Sequence, residues 1–192
     1  MMGQLKMLAN VRYKINSDQS QMTARVFAGG LLSVFGHDHT IALRDIAGEV
    51  LLTSGGIESA SLRVTIKASS ATETGKEFSD QDRQDIDRAV HEQALESANY
   101  PEIVFESTKI SVEEAGEKQY RARTEGELVL HGVVHPIVIP ARVTLNGDTL
   151  RAKGEFPVKH SDFKIKRLTA AAGAVKAKDE MKIAFDIVGR RV

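Results

Sequence analysis

Apolar and polar residues alternate with a period of two along most of this chain. Leu62, Val64, Ile66 and Ala68 alternate with Arg63, Thr65 and Lys67. Ile137, Ile139, Ala141, Val143 and Leu145 alternate with Val138, Pro140, Arg142 and Thr144. Leu150, Ala152, Gly154, Phe156 and Val158 form a third set, and Met181, Ile183, Phe185 and Ile187 a fourth. Successive strand side chains point to opposite faces, so each run predicts a strand with one buried face. Weaker runs at 11–16, 22–28, 39–43, 48–53, 103–110 and 120–130 predict further strands. Turn residues fall between them. Asn146-Gly147-Asp148 predicts a hairpin, as do Ser54-Gly55-Gly56 and Ala115-Gly116-Glu117. Gly132, with Pro136 after it, predicts a tight bend.

Residues 79–95 break the pattern. Ile86, Ala89, Val90, Ala94 and Leu95 recur at helical spacing, and Ser79 with Asp82 forms a capping box. One amphipathic helix of about four turns is expected, ending before Asn99-Tyr100-Pro101. A second short helix or a loop is expected over 162–175, where residues 170–174 are small. Many short strands with a single long helix predict one mainly β domain, a sandwich or a barrel, over residues 1–192. Closing the sheet would also remove its exposed edges.

Composition narrows the function classes. Lys+Arg and Asp+Glu both number 26, so no global field draws the chain to nucleic acid. With no cysteine there is no disulfide, thiolate metal site or Cys nucleophile. No apolar run reaches the roughly 20 residues of a membrane-spanning helix. The first ten residues lack the ~7–15-residue apolar stretch of a secretory signal. As it stands the chain is expected in the cytoplasm, or in the periplasm if a signal was removed. Charge is uneven: residues 73–96 hold eight acids and three bases, and residues 151–178 hold eight bases and two acids. The basic strip of Lys164, Lys166 and Arg167 beside Phe163 and Ile165 suits either a lipid phosphate or an ordinary solvated face. The asymmetry also leaves room for a symmetric homodimer.

The most pointed local signal is Phe35-Gly36-His37-Asp38-His39-Thr40. On a strand His37 and His39 share a face and so form a candidate metal chelate, with His131, His135 or His160 as the third ligand only if the fold brings one near. The alternative is a polar rim at the mouth of a barrel. His131 and His135 flank the Gly132 bend and fit a turn role, and His91 beside Glu92 is expected at the surface. Gly-x-Ser-x-Gly, His-Glu-x-x-His and a phosphate loop are all missing, so catalysis finds little support. No cofactor is expected.

Three ordered motifs carry a family resemblance. The first runs from Ser70-Ala71-Thr72 through Asp82-Arg83-Gln84-Asp85-Ile86 and Leu95-Glu96-Ser97 to Asn99-Tyr100-Pro101-Glu102-Ile103-Val104-Phe105-Glu106-Ser107. The second is Gly126-Glu127-Leu128-Val129-Leu130-His131-Gly132-Val133-Val134-His135-Pro136-Ile137, and the third Ser161-Asp162-Phe163 ahead of the last strand. Together, across residues 13–188, they resemble the YceI-like family of lipid-binding proteins. The resemblance implies an extended lipocalin-like antiparallel β-barrel of about eight strands that holds a polyisoprenoid or similar long-chain lipid. It also implies export to the bacterial periplasm, from which this chain departs in having no visible signal. The lining expected for such a tunnel is Leu62, Val64, Ile66, Ile103, Phe105, Leu128, Leu130, Ile137, Ile139, Phe156, Ile183 and Phe185. Phe35, His37 and His39 are expected at its mouth, with the helix and the 170–174 loop gating that end. The pattern alone favours a solid core filled by these same residues, and the resemblance reverses that preference. A metal-binding module or metal-dependent enzyme built on His37 and His39, and a ligand-free stress-response scaffold, are the competing readings.

Overall fold

The computed structural model describes residues 10–30, 36–53, 56–170, 172 and 174–192. The strands are β1 (Val11–Ile15), β2 (Gln21–Gly29), β3 (His39–Leu43), β4 (Ile46–Thr53), β5 (Gly56–Lys67) and β6 (Ala71–Glu73). They continue with β7 (Glu102–Gly116), β8 (Gln119–Leu130), β9 (Val133–Asn146), β10 (Thr149–Lys159), β11 (Thr169–Ala170) and β12 (Val175–Arg191). β1 and β2 pair with successive stretches of β12, at Ile15↔Gly189 and Gln21↔Asp186. β4 lies against β1 and β3 against β2, and β5 and β6 follow in turn. Three staves of the wall are therefore collinear pairs. Counted that way, eight antiparallel strands succeed one another in chain order, and β12 meets β1 and β2 to close the barrel.

The breaks within staves would leave ladder donors without carbonyls, and serine hydroxyls take their place. At the β1–β2 joint the Val188 N–H donates to Ser20 Oγ at 3.0 Å, and the Ser20 hydroxyl donates to the Asn16 carbonyl at 2.6 Å. At the β3–β4 joint the Arg44 N–H donates to Ser70 Oγ and the Ile46 N–H to Ser17 Oγ. At the β7 bulge the Leu62 N–H donates to Ser107 Oγ at 2.8 Å.

The alternation seen in sequence becomes an inner apolar face and an outer polar one. Inner residues of β9 (Ile137, Ile139, Ala141, Val143, Leu145) are only half-buried although they point inward, because they border a hollow. Val11, Tyr13, Leu52 and Leu150 pack as a separate cluster that floors one end. The helix caps the other end. It comprises α1 (Asp80–Ala89), opened by the expected Ser79–Asp82 capping box, and a π-helical continuation over Val90–Ala94. Val90 is buried, with Ile86, Ala94 and Leu95 packed against the same core.

Some expectations need correction. Over 162–175 the chain forms a 3-10 turn (Ser161–Phe163) and the short β11, which pairs with the start of β12. Residues 171 and 173 of the expected gating loop lie outside the described residues, as do Ser54 and Gly55 of one expected hairpin. Phe163 and Ile165 are 1% and 6% exposed, so the nearby lysines do not flank an open apolar patch. His91 is half-buried, its Nδ1 3.3 Å from the Ser97 hydroxyl.

Two outcomes are expected. Ser20→Ala strands the buried Val188 N–H and should destabilise the barrel by about 1–3 kcal/mol in denaturant unfolding. On the outer wall, Arg151 forks both oxygens of Asp186 and Lys153 adds a third contact, holding that carboxyl at about 2. The depressed value means this contribution to stability is present above the ordinary carboxylate range and is lost as pH falls toward about 2. A carboxyl NMR titration should show Arg151→Ala moving Asp186 upward.

Candidate functional site

The barrel encloses a cavity of about 840 Å³ that runs from Tyr13 and Leu150 at the floor to His39, Phe78 and Leu168 under the helix. That size falls in the roughly 300–1,000 Å³ range of small-molecule sites. Its walls are almost wholly aliphatic and aromatic.

Two glycines keep it open. Gly126 and Gly154 face inward on β8 and β10. A Cβ on Gly126 would lie 2.6 Å from the Phe105 ring and 2.3 Å from the Glu106 carbonyl oxygen. A Cβ on Gly154 would lie 2.7 Å from the Phe185 ring and 2.2 Å from the Pro140 carbonyl oxygen. The far edge of each ring thus fills the space that a side chain on the neighbouring strand's glycine would need, while its remainder lines the cavity.

Polar groups gather at the helix end. Glu73, at the end of β6, is fully buried, and its Oε2 sits 2.9 Å from His39 Nδ1. Its Oε1 accepts the backbone N–H groups of Thr40, Thr74 and Gly75 at 3.2, 2.8 and 2.7 Å. The carboxylate therefore turns Nδ1 toward itself and leaves Nε2 of His39 facing away from it. Phe78 stacks on His39 at 5.0 Å and meets His37 edge-on at 5.7 Å. Asp38 fastens the approach to β3. It accepts the Ala28 N–H and the Arg25 guanidinium, and these two hold its carboxyl below the usual range. Glu77, Asp82, Asp85 and Lys166 complete the charged residues lining the cavity.

A family model, the YceI-like domain, matches residues 13–189, nearly the whole chain. The chain belongs to the YceI-like domain family. Solved structures agree on the fold. BcnA of Burkholderia cenocepacia is 21% identical, with 91% of this chain and 98% of that one covered and a TM-score of 0.67. A polyisoprenoid binding domain from Saccharophagus degradans, implicated in plant cell wall breakdown, is 14% identical over 93% and 97%, with a TM-score of 0.65. The Campylobacter jejuni YCEI protein is 20% identical over 77% and 82%, at 0.56. A search of the curated proteins found no match.

In this YceI-like barrel, Leu62, Val64, Ile66, Ile103, Phe105, Leu128, Leu130, Ile137, Ile139, Phe156, Ile183 and Phe185 all lie on the cavity wall. His37 and His39 lie at the helix end, and Phe35 is outside the described residues. His160 also lines the cavity, whereas His131 and His135 do not, and none of the three makes a metal site with the pair. His131 lies 3.2 Å from both Glu96 Oε2 and the Phe163 carbonyl, His135 packs on Phe163, and His160 bonds the Asp179 carbonyl. Among the described residues no group of three or more His, Cys, Asp or Glu side chains is close enough to hold a metal. Glu73 and Phe78 escaped the sequence reading. Glu73 meets His39 across 34 positions, and no local pattern marks an acid as buried.

Gly126→Ala should cost about 1–3 kcal/mol by overpacking and should drive the Phe105 ring into the cavity. The double variant Gly126→Ala/Phe105→Leu should recover part of that loss in thermal unfolding, since only the clash with the Glu106 carbonyl would remain.

Proposed function

We propose that this protein binds and carries a long-chain amphiphile, a polyisoprenoid or a lipid of similar shape, without altering it chemically. The observation that carries the reading is the continuous apolar cavity inside a closed wall. Burying each CH₂ contributes about 0.8 kcal/mol, against an association cost of about 4–15 kcal/mol. A tail of roughly five to twenty buried carbons is therefore needed, which selects long chains over small apolar molecules. An inner wall of ten residues at ~3.3 Å each, tilted ~40°, is about 25 Å deep, long enough for such a tail. The likeness to a polyisoprenoid binding domain supports the same class of ligand.

The ligand's head sits at the helix end. There His39 offers Nε2, while Glu77, Asp82 and Asp85 outnumber Lys166 and no arginine lines the cavity. That charge balance favours an uncharged polar head over a phosphate.

Organic extraction of purified protein followed by mass spectrometry tests the reading. A long-chain lipid near one per protein is expected, together with saturable binding of cis-parinaric acid to delipidated protein. No lipid in any preparation and no saturable probe binding would discard the reading. Phosphorylated lipids alone in the extract would reverse the head-group assignment.

A further inference from the structure

Among the described residues the ladder lapses between neighbouring strands at two places: between β5 and β7 beyond Arg63↔Glu106, where the Leu62 N–H turns to Ser107 Oγ, and between β9 and β10, where prolines remove the donors. β9 pairs with β8 from Val133 to Thr144, but with β10 only from Arg142 to Asn146. β10 pairs with β12 along its whole length, from Thr149 to Lys159. Residues 133–141 and 154–159 thus border each other with no paired backbone.

The cause lies in three prolines. Leu130↔Val133 and Asn146↔Thr149 flank two-residue turns, and residues flanking such a turn exchange backbone hydrogen bonds. Counting by two from Asn146, residues 140, 138 and 136 aim their backbone groups at β10. Counting from Thr149, residues 155, 157 and 159 aim theirs at β9. Pro136, Pro140 and Pro157 therefore all present a nitrogen without hydrogen to the same seam. The fourth proline of the chain, Pro101, lies outside the strands.

Side chains close what the backbone leaves open. After β10 the Ser161–Phe163 turn folds back, and Phe163 is fully buried with its ring 5.6 Å from that of His135 on β9. On the β9 side the seam is apolar on both faces from Pro136 to Pro140, while the outer face of β10 carries Glu155 and Lys159 on either side of Pro157. Ile137 and Ile139 on one side, and Phe156 and Val158 on the other, line the cavity. Outside, Val134 and Val138 are 56% and 41% exposed, with Pro136 between them. The helix end instead confronts a tail with Glu77, Asp82 and Asp85.

We propose that the β9–β10 seam is a lateral portal: the ligand's tail enters and leaves sideways between residues 134–140 and 155–159, and the apolar outer lip of β9 faces the bilayer that supplies or receives it. This rests on the lipid-carrying function proposed above. Restoring the missing donors tests it. In the triple variant Pro136→Val/Pro140→Thr/Pro157→Thr, the amides of Val138 and Glu155 should gain protection from hydrogen exchange. Transfer of cis-parinaric acid from phosphatidylcholine vesicles should then slow by about tenfold or more, because each restored hydrogen bond adds to the barrier to opening. The equilibrium Kd should stay the same. An unchanged transfer rate in a variant whose seam amides have become protected would overturn the portal. Should the triple variant not fold, Val134→Lys/Val138→Lys should slow transfer from the same vesicles and Phe163→Ala should speed release, and normal rates in both would overturn it. Absence of probe binding by the unaltered protein would instead overturn the carrier function itself.

Discussion

A sheet rolled around a hollow gives up the side-chain packing that a solid core would supply, so its backbone ladder has to run unbroken around the ring. Much of this protein's detail follows from that constraint. β12 spans both pieces of the first stave, and its pairing at Ile15↔Gly189 and Gln21↔Asp186 closes the circle. Where staves kink, Ser17, Ser20 and Ser70 supply the acceptors that the kink removes. A hydroxyl on a short side chain is well suited to this, since it reaches a neighbouring backbone donor without filling the interior.

The hollow itself is maintained by what is left out. Gly126 and Gly154 withdraw a side chain from the inner wall so that Phe105 and Phe185 can lie against it. The rings still cover apolar area, with their far edges in the space beside the glycines and the remainder lining the cavity. The charged residues of the cavity wall gather at the helix end, where the buried Glu73 accepts three backbone N–H groups as well as contacting His39. The result is a container with an apolar depth and one polar end, the complement of a molecule with a long tail and a compact head. Membership of the YceI-like family and the shared fold at low identity accord with this shape. The contents of the container are a matter of its own wall and rim.

The ladder also lapses between β5 and β7 beyond Arg63↔Glu106, but the β9–β10 seam is the lapse that prolines make, and its placement is informative. Prolines elsewhere in the wall would have cost hydrogen bonds in several ladders. Here Pro136, Pro140 and Pro157 concentrate the loss in one, and the chain that follows β10 covers it with Phe163. β9 keeps full pairing with β8 because its odd-numbered residues, none of them proline, carry that ladder.

The amino-acid sequence by itself determined the strands, the capped helix and which residues of each strand share a face, because periodicity and turn chemistry are local properties. Residues 137–145 and 181–187 alternate as strands do whatever surrounds them, and Ser79 caps its helix with Asp82 three positions away. A hollow and a solid core require the same alternation, so the pattern was silent on which of them the inner face makes. That was decided by closure of the sheet, by the ring–glycine contacts across strands, and by the distance between opposite walls. The same holds for Glu73 beside His39 and for three prolines on one seam. Each depends on which strands become neighbours, and neighbours in a barrel are set by the return of the chain rather than by any short stretch of it.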